Sequence, residues 1–144
     1  MASVFKTKVA MLDIIKKFAD ELSQIGFKIH EPRLTNNDGQ HEVYIDNEFV
    51  GDVYFHYQKD NRRMRRIVIR FNYEVKIYHN ITYNADKVEE EYNIKLRDSE
   101  TRYVTENTVD ILYEIKQKLQ DVYRNYKKAQ NKIKELKMNG DFSE

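Results

Sequence analysis

Along residues 49–78 apolar and polar side chains alternate, and this constrains the fold more than anything else in the chain. Ile67, Ile69, Phe71, Tyr73, Val75 and Ile77 share one face of an extended segment, and Val68, Arg70, Asn72, Glu74, Lys76 and Tyr78 share the other. A side-chain period of two with one apolar face is the pattern of a half-buried strand. The preceding stretch repeats it, with Phe49, Val53, Phe55 and Tyr57 inward and Val50, Asp52, Tyr54 and His56 outward. Between the two, Lys59, Asp60 and Asn61 carry turn chemistry, because Asp and Asn tolerate left-handed backbone. A turn centred near Asn61 sets Phe55 against Ile67, Val53 against Ile69, Gly51 against Phe71 and Phe49 against Tyr73. All four pairs fall on the apolar face, and a one-residue slip would expose the whole set. Gly51 marks a bulge there or leaves room for the Phe71 ring, and the second reading is preferred.

The flanking segments supply what this hairpin needs for a core. Residues 4–25 read as an amphipathic helix, with Met11, Ile15, Phe18, Leu22 and Ile25 in the stripe, Val4, Leu12 and Ala19 widening it, and Gly26 placed to cap it. Residues 27–30 form a short extended segment, Pro32 interrupts, and residues 35–39 read as a loop by composition. Residues 41–45 form a strand that turns at Asp46-Asn47 into the first arm of the hairpin. Residues 79–104 are the hardest stretch. Asn84 is read as the cap of a short helix through Glu91, with Val88 and Tyr92 on one side, followed by a brief extended piece at Tyr103 and Val104. Residues 108–138 form the longest helix, capped by Asn107 or Thr105. Leu112, Ile115, Leu119, Val122, Tyr126, Ala129, Ile133 and Leu136 repeat along it at heptad spacing. The expected fold is α+β: an antiparallel meander of three to four strands, with an N-terminal helix and a long C-terminal helix packed on one face. One domain spans residues 1–138, and residues 139–144 form a flexible tail.

Composition removes several functional classes. The chain has 144 residues and no Cys, which excludes disulfides and thiol chemistry and fits a reducing cytoplasm. No stretch is long and apolar enough to span a bilayer. Charged residues make up 34% of the chain but the net charge is only +1, so electrostatic recognition must come from local patches. His30, His41, His56 and His79 follow no metal-binding spacing, and no glycine-rich phosphate loop is present. No cofactor or metal is expected.

Asp52 lies upstream of Glu74-Val75-Lys76 in the order helix-strand-strand-strand-helix, which resembles the PD-(D/E)xK nuclease family. The resemblance implies that Asp52 and Glu74-Val75-Lys76 hold a metal beside the scissile phosphate. The register deduced above instead sets Asp52 opposite Arg70, about 13 Å along the strand from Glu74, as a cross-strand ion pair. A shifted register, or Glu48 opposite Glu74, would keep the nuclease reading open.

The strongest local anomaly is Arg62, Arg63, Met64, Arg65 and Arg66, four arginines in five residues at the hairpin connection, with Lys59 nearby. Arginine's planar fork suits phosphate, and Tyr54 and His56 on the adjoining arm are candidate stacking partners for bases. The expectation is a small non-catalytic binding protein that contacts nucleic acid or a nucleoprotein through Arg62, Arg63, Arg65, Arg66, Lys59, Tyr54 and His56. The alternative is a protein-interaction module, such as a phage accessory protein that inhibits a host enzyme or a Cas nuclease. The heptad stripe admits a homodimer through the C-terminal helix, but lysines on its flanks favour a monomer with the stripe on its own sheet.

Overall fold

The computed structural model describes residues 8–31, 33–34, 38–57, 64–105 and 108–142. Helix α1 (Lys8–Ile25) is followed by two-residue strands β1 (Lys28–Ile29) and β2 (Arg33–Leu34). Then come β3 (Asp38–Ile45), β4 (Glu48–Tyr57), β5 (Met64–Asn84), β6 (Lys87–Val104) and helix α2 (Ile111–Phe142). All pairings are antiparallel, in the order β1-β3-β4-β5-β6, with β2 also pairing with β3. The fold is α+β, with both helices contributing to one core, as expected. The sheet has five strands along its path rather than three or four.

Local chemistry sets several of the boundaries. Gly26 ends α1 at φ 131°, where its amide reaches Ser23 O at 3.1 Å and the Phe27 amide reaches Leu22 O at 3.2 Å. These are the paired bonds of a Schellman cap. Asp46 takes φ 51° in the turn between β3 and β4. The expected loop at 35–39 is corrected in part, since Asp38 and Gly39 belong to β3 opposite His56 and Phe55. Helix α2 begins at Ile111, after a turn in which the Thr105 amide donates to Thr108 Oγ1 at 2.8 Å. It runs on to Phe142, past the expected end near 138.

The core follows the alternation. Val53 and Phe55 of β4 and Ile67, Ile69 and Phe71 of β5 are buried beneath Ile15, Phe18 and Leu22 of α1 and Ile115, Leu119, Val122 and Tyr126 of α2. The pairs Phe55–Ile67, Val53–Ile69, Gly51–Phe71 and Asp52–Arg70 stand in the ladder as the turn near Asn61 required.

At the start of β4 the expected parity is corrected. Val43 pairs with Gly51 but Tyr44 pairs with Phe49, so Val50 is an extra residue in a β-bulge. A bulge resets which face each side chain takes. Val50 therefore turns inward and is fully buried, while Phe49 turns outward, 40% exposed, with its ring edge-on to Tyr44 at 5.5 Å. The Phe49–Tyr73 pair is absent from the ladder. The room-making role assigned to Gly51 is also corrected. A Cβ at Gly51 would strike the Arg70 carbonyl and lie 2.7 Å from Phe71 Cα, so this glycine admits a neighbouring backbone. It is Gly39 that makes space for a ring, that of Phe55.

The largest correction concerns residues 79–104. There is no helix from Asn84. β5 continues to Asn84, turns over Ala85-Asp86 and returns as β6, paired from Asn84–Lys87 to Ile67–Val104. Asp, Lys and three Glu made 86–91 look helical, yet Val88, Tyr92, Ile94 and Leu96 keep a period of two with Glu89, Glu91, Lys95 and Arg97 between them. Pairing along β5 outweighs the weak intrinsic preference of those residues.

β4 covers β5 only as far as Phe71, and beyond that β5 and β6 pair with each other alone. The result is a two-stranded arm extending about 40 Å past the main sheet. α2, about 48 Å long, lies along it. Glu114 reaches Arg102 at 3.1 Å and Lys118 reaches Glu100 at 2.8 Å, while Ile133 borders Tyr92–Leu96.

Candidate interaction surfaces

Part of the arginine run lies at one end of the sheet. The β4–β5 ladder reaches His56–Arg66 and Tyr57–Met64, so Arg65 and Arg66 belong to the first residues of β5. Lys59, Arg62 and Arg63 lie outside the described residues. Arg65, Arg66 and His56 belong to described strands, but their side chains lie outside the described set. Tyr54 sits two pairs further in than His56, half-buried between Gln40 and Val68 on the face opposite the helices.

The basic face of α2 does not extend this surface. Its Lys127 and Gln130 bind Asp46, at 3.7 and 2.8 Å, in the turn at the other end of β4. That end is about 30 Å from Tyr57. The lysines at 128 and 134 follow on the same helix, toward the arm. Lys127 therefore sits at the end of β4 away from the start of β5, where Arg65 and Arg66 stand.

The face opposite the helices brings together residues that sequence reasoning had not linked. Asp52, only 8% exposed, accepts a hydrogen bond from Gln40 Nε2 at 2.9 Å and lies 3.6 Å from Arg70. Its cross-strand neighbour is Glu42, whose carboxylate accepts from the Tyr44 hydroxyl at 2.7 Å and lies 3.7 Å from His30. His30 in turn stacks on Tyr44 at 4.4 Å. Each carboxylate thus has its own donors. Glu74 is elsewhere, opposite Arg97 and 3.2 Å from Lys76, while Glu48 pairs with Ile45. Neither route that would have joined Asp52 or Glu48 to Glu74 is realised. Among the described residues no three His, Cys, Asp or Glu side chains converge on a metal-sized site.

The arm is the surface the sequence reading missed. Its helix-side face carries Tyr73, Val75, Ile77, His79, Ile81 and Tyr83 from β5, opposed by Leu96, Ile94, Tyr92 and Val88 from β6. Near the sheet this face is partly covered, with Val75, Ile94 and Leu96 packed against the core. Toward the tip the cover thins: Ile81 is 45% exposed, Val88 61% and Tyr83 77%. An open cleft of about 440 Å³ lies between arm, helix and the β3–β4 turn, bordered by Phe49, Ile94, Leu96, Tyr126 and Ile133. Burial raises the Tyr126 phenol above its ordinary pKa, and the carboxylates of Glu48 and Asp46 push it the same way. The signal for the arm was in the sequence, as the period of two through residues 88–97.

The heptad stripe of α2 is buried in the chain's own core from Ile115 to Ala129, so those positions are not available to a second helix. No helix among the described residues is long and apolar enough to cross a membrane. No family model matches the chain, and no curated protein or solved structure matches it significantly.

Proposed function

We propose that this chain is a small non-catalytic binding protein that contacts nucleic acid or a nucleoprotein through Arg62, Arg63, Arg65 and Arg66. The observation that carries the reading is the β4–β5 register. Because the ladder reaches Tyr57–Met64, Arg65 and Arg66 stand at the start of β5, one strand of a two-stranded ribbon with β4, and Arg62 and Arg63 belong to the 58–63 connection. Such a ribbon fits a nucleic-acid groove, and arginine forks donate bidentate hydrogen bonds to phosphate. Lys59 adds a further cation, and Tyr54 and His56 of β4 are the candidate stacking rings. Phosphate contact of this kind weakens steeply with salt. Fluorescence anisotropy with labelled single-stranded DNA, duplex DNA and RNA tests it. Replacing the four arginines with Ala should lower affinity at least about tenfold and flatten the salt dependence. Unchanged affinity would end the reading.

The second reading, a protein-interaction module of the kind a phage uses to inhibit a host enzyme or a Cas nuclease, is favoured by a different observation. The arm presents Ile81, Tyr83 and Val88 to solvent. Exposed apolar side chains grouped together commonly mark protein contact. Affinity purification after nuclease treatment separates the two readings: a partner lost with the nucleic acid supports the first, and one retained supports the second. A nuclease is the least supported reading, since Asp52 is paired with Gln40 and Arg70 and Glu74 lies beyond its reach. The absence of Cys and of any described membrane-crossing helix accords with a cytoplasmic setting.

A further inference from the structure

Strand β6 is the outermost strand of its sheet, with β5 on one side and no described segment on the other. It is 18 residues long. Long, open edges invite pairing with another strand, and proteins that avoid this shorten or bend them. The order of charges along β6 indicates which strand would fit.

We propose that β6 pairs antiparallel with β6 of a second copy of this chain, about a two-fold axis at Asn93. An isologous interface requires a surface complementary to itself, and β6 meets that condition at one register. With Asn93 on the axis, Glu91 faces the partner's Lys95 and Glu89 faces the partner's Arg97, each pair occurring twice. All four residues lie on the face away from the helices. On the helix-side face the same register sets Tyr92 against the partner's Ile94. Moving the axis one residue toward the N-terminus places Lys87 against Arg97, and one residue the other way places Glu90 against Asp98. Like charges directly opposite one another are destabilising. Only registers centred on a residue keep both helix-side faces on the same side of the joined sheet.

Of the four charges concerned, Arg97 alone lies opposite a charge of the other sign, Glu74, in the β5–β6 ladder. Thr82 lies opposite Glu89 and Asn80 opposite Glu91. Lys95 lies opposite Lys76, which is itself 3.2 Å from Glu74. Lys95 and Arg97 both rest over the Tyr78 ring, at 5.5 and 4.8 Å. A second β6 brings carboxylates to the two cations and cations to the two carboxylates. It also extends the apolar strip formed by Ile77–Ile94 and by the His79–Tyr92 stack, at 4.4 Å, across the axis into the partner.

Charge reversal tests the register. Glu89, Glu91, Lys95 and Arg97 are all exposed, so their exchange leaves the core untouched. One full-length variant carries Glu89→Lys with Glu91→Lys, and the other carries Lys95→Glu with Arg97→Glu. Circular dichroism establishes that both are folded. Sedimentation equilibrium over a concentration series into the hundreds of micromolar should give twice the monomer mass for the wild type. Each variant alone should be monomeric, because every pair is then like-charged. An equimolar mixture should return to the dimer mass, because every pair is again opposite. A wild type that stays at monomer mass overturns the proposal. So does a dimer that either variant retains alone, or a mixture that does not reassemble.

Discussion

The two halves of β5 carry the same sequence pattern and differ in surroundings. From Ile67 to Phe71 the strand has β4 on one side, β6 on the other and helices above, and Ile67, Ile69 and Phe71 are at most 2% exposed. From Tyr73 to Tyr83 only β6 flanks it, and Tyr73, Ile77, Ile81 and Tyr83 are 36% to 77% exposed. Alternation states which side chains share a face. It does not state what lies over that face, and the energetic weight of a residue depends on the cover.

That difference ranks the expected effects of substitution. Phe55→Ala should be the most damaging, at about 4 kcal/mol, since it removes a fully buried ring and leaves a cavity. Ile69→Ala should follow at about 3 kcal/mol, while Ile81→Ala on the same face of the same strand should cost under about 1 kcal/mol. Denaturant midpoints compare the two, and equal losses would break the contrast drawn here. Gly51→Ala should cost about 2 kcal/mol or more, because the added methyl meets the Arg70 carbonyl and the Phe71 backbone and one strand must move.

Hydrogen exchange sharpens the same comparison. Amides of 67–71 should exchange only on global unfolding, and those of 79–84 through local opening of the arm.

Smaller effects separate arm from helix. Burial raises the Tyr126 pKa, so the neutral phenol is the form the folded state prefers. Its contribution is complete below the unfolded value of 10.0 and is lost as pH rises through the raised folded value. Alkaline denaturation profiles should therefore fall more steeply for the wild type than for Tyr126→Phe. The smallest change is expected at the arm's turn, where Ala85 sits at φ 53°. Ala85→Gly should stabilise by up to about 1 kcal/mol, by removing the left-handed penalty of a Cβ. Thermal denaturation measures it.

Much of the scaffold was legible because local periodicity and turn chemistry specify it. The β4–β5 register followed from the turn near Asn61 and held pair for pair from Gly51 to Phe55. The arginine run was legible as composition, and the register places the backbone of Arg65 and Arg66 in the first residues of β5. The inward turn of Val50 was signalled only by Gly51, read as room for a ring in preference to a bulge, because a bulge arises from how two strands fit and leaves no mark on hydrophobic pattern. The Glu42–Asp52 neighbours were hidden for a related reason: residues on different strands meet only once the β3–β4 register, bulge included, is known.

By itself, then, the sequence determined which residues form one apolar face, where α1 stops, and that a heptad stripe on α2 must be buried against something. The tertiary structure decided what that something is. It spends the stripe from Ile115 to Ala129 on the chain's own sheet, turns 87–104 into a strand despite its helix-forming glutamates, and sets Lys127 against Asp46 in the β3–β4 turn. The physical reason is one of range. Periodicity records a residue's relation to neighbours a few positions away, whereas cover, edge and charge partner are set by segments tens of residues distant that meet only in the folded chain.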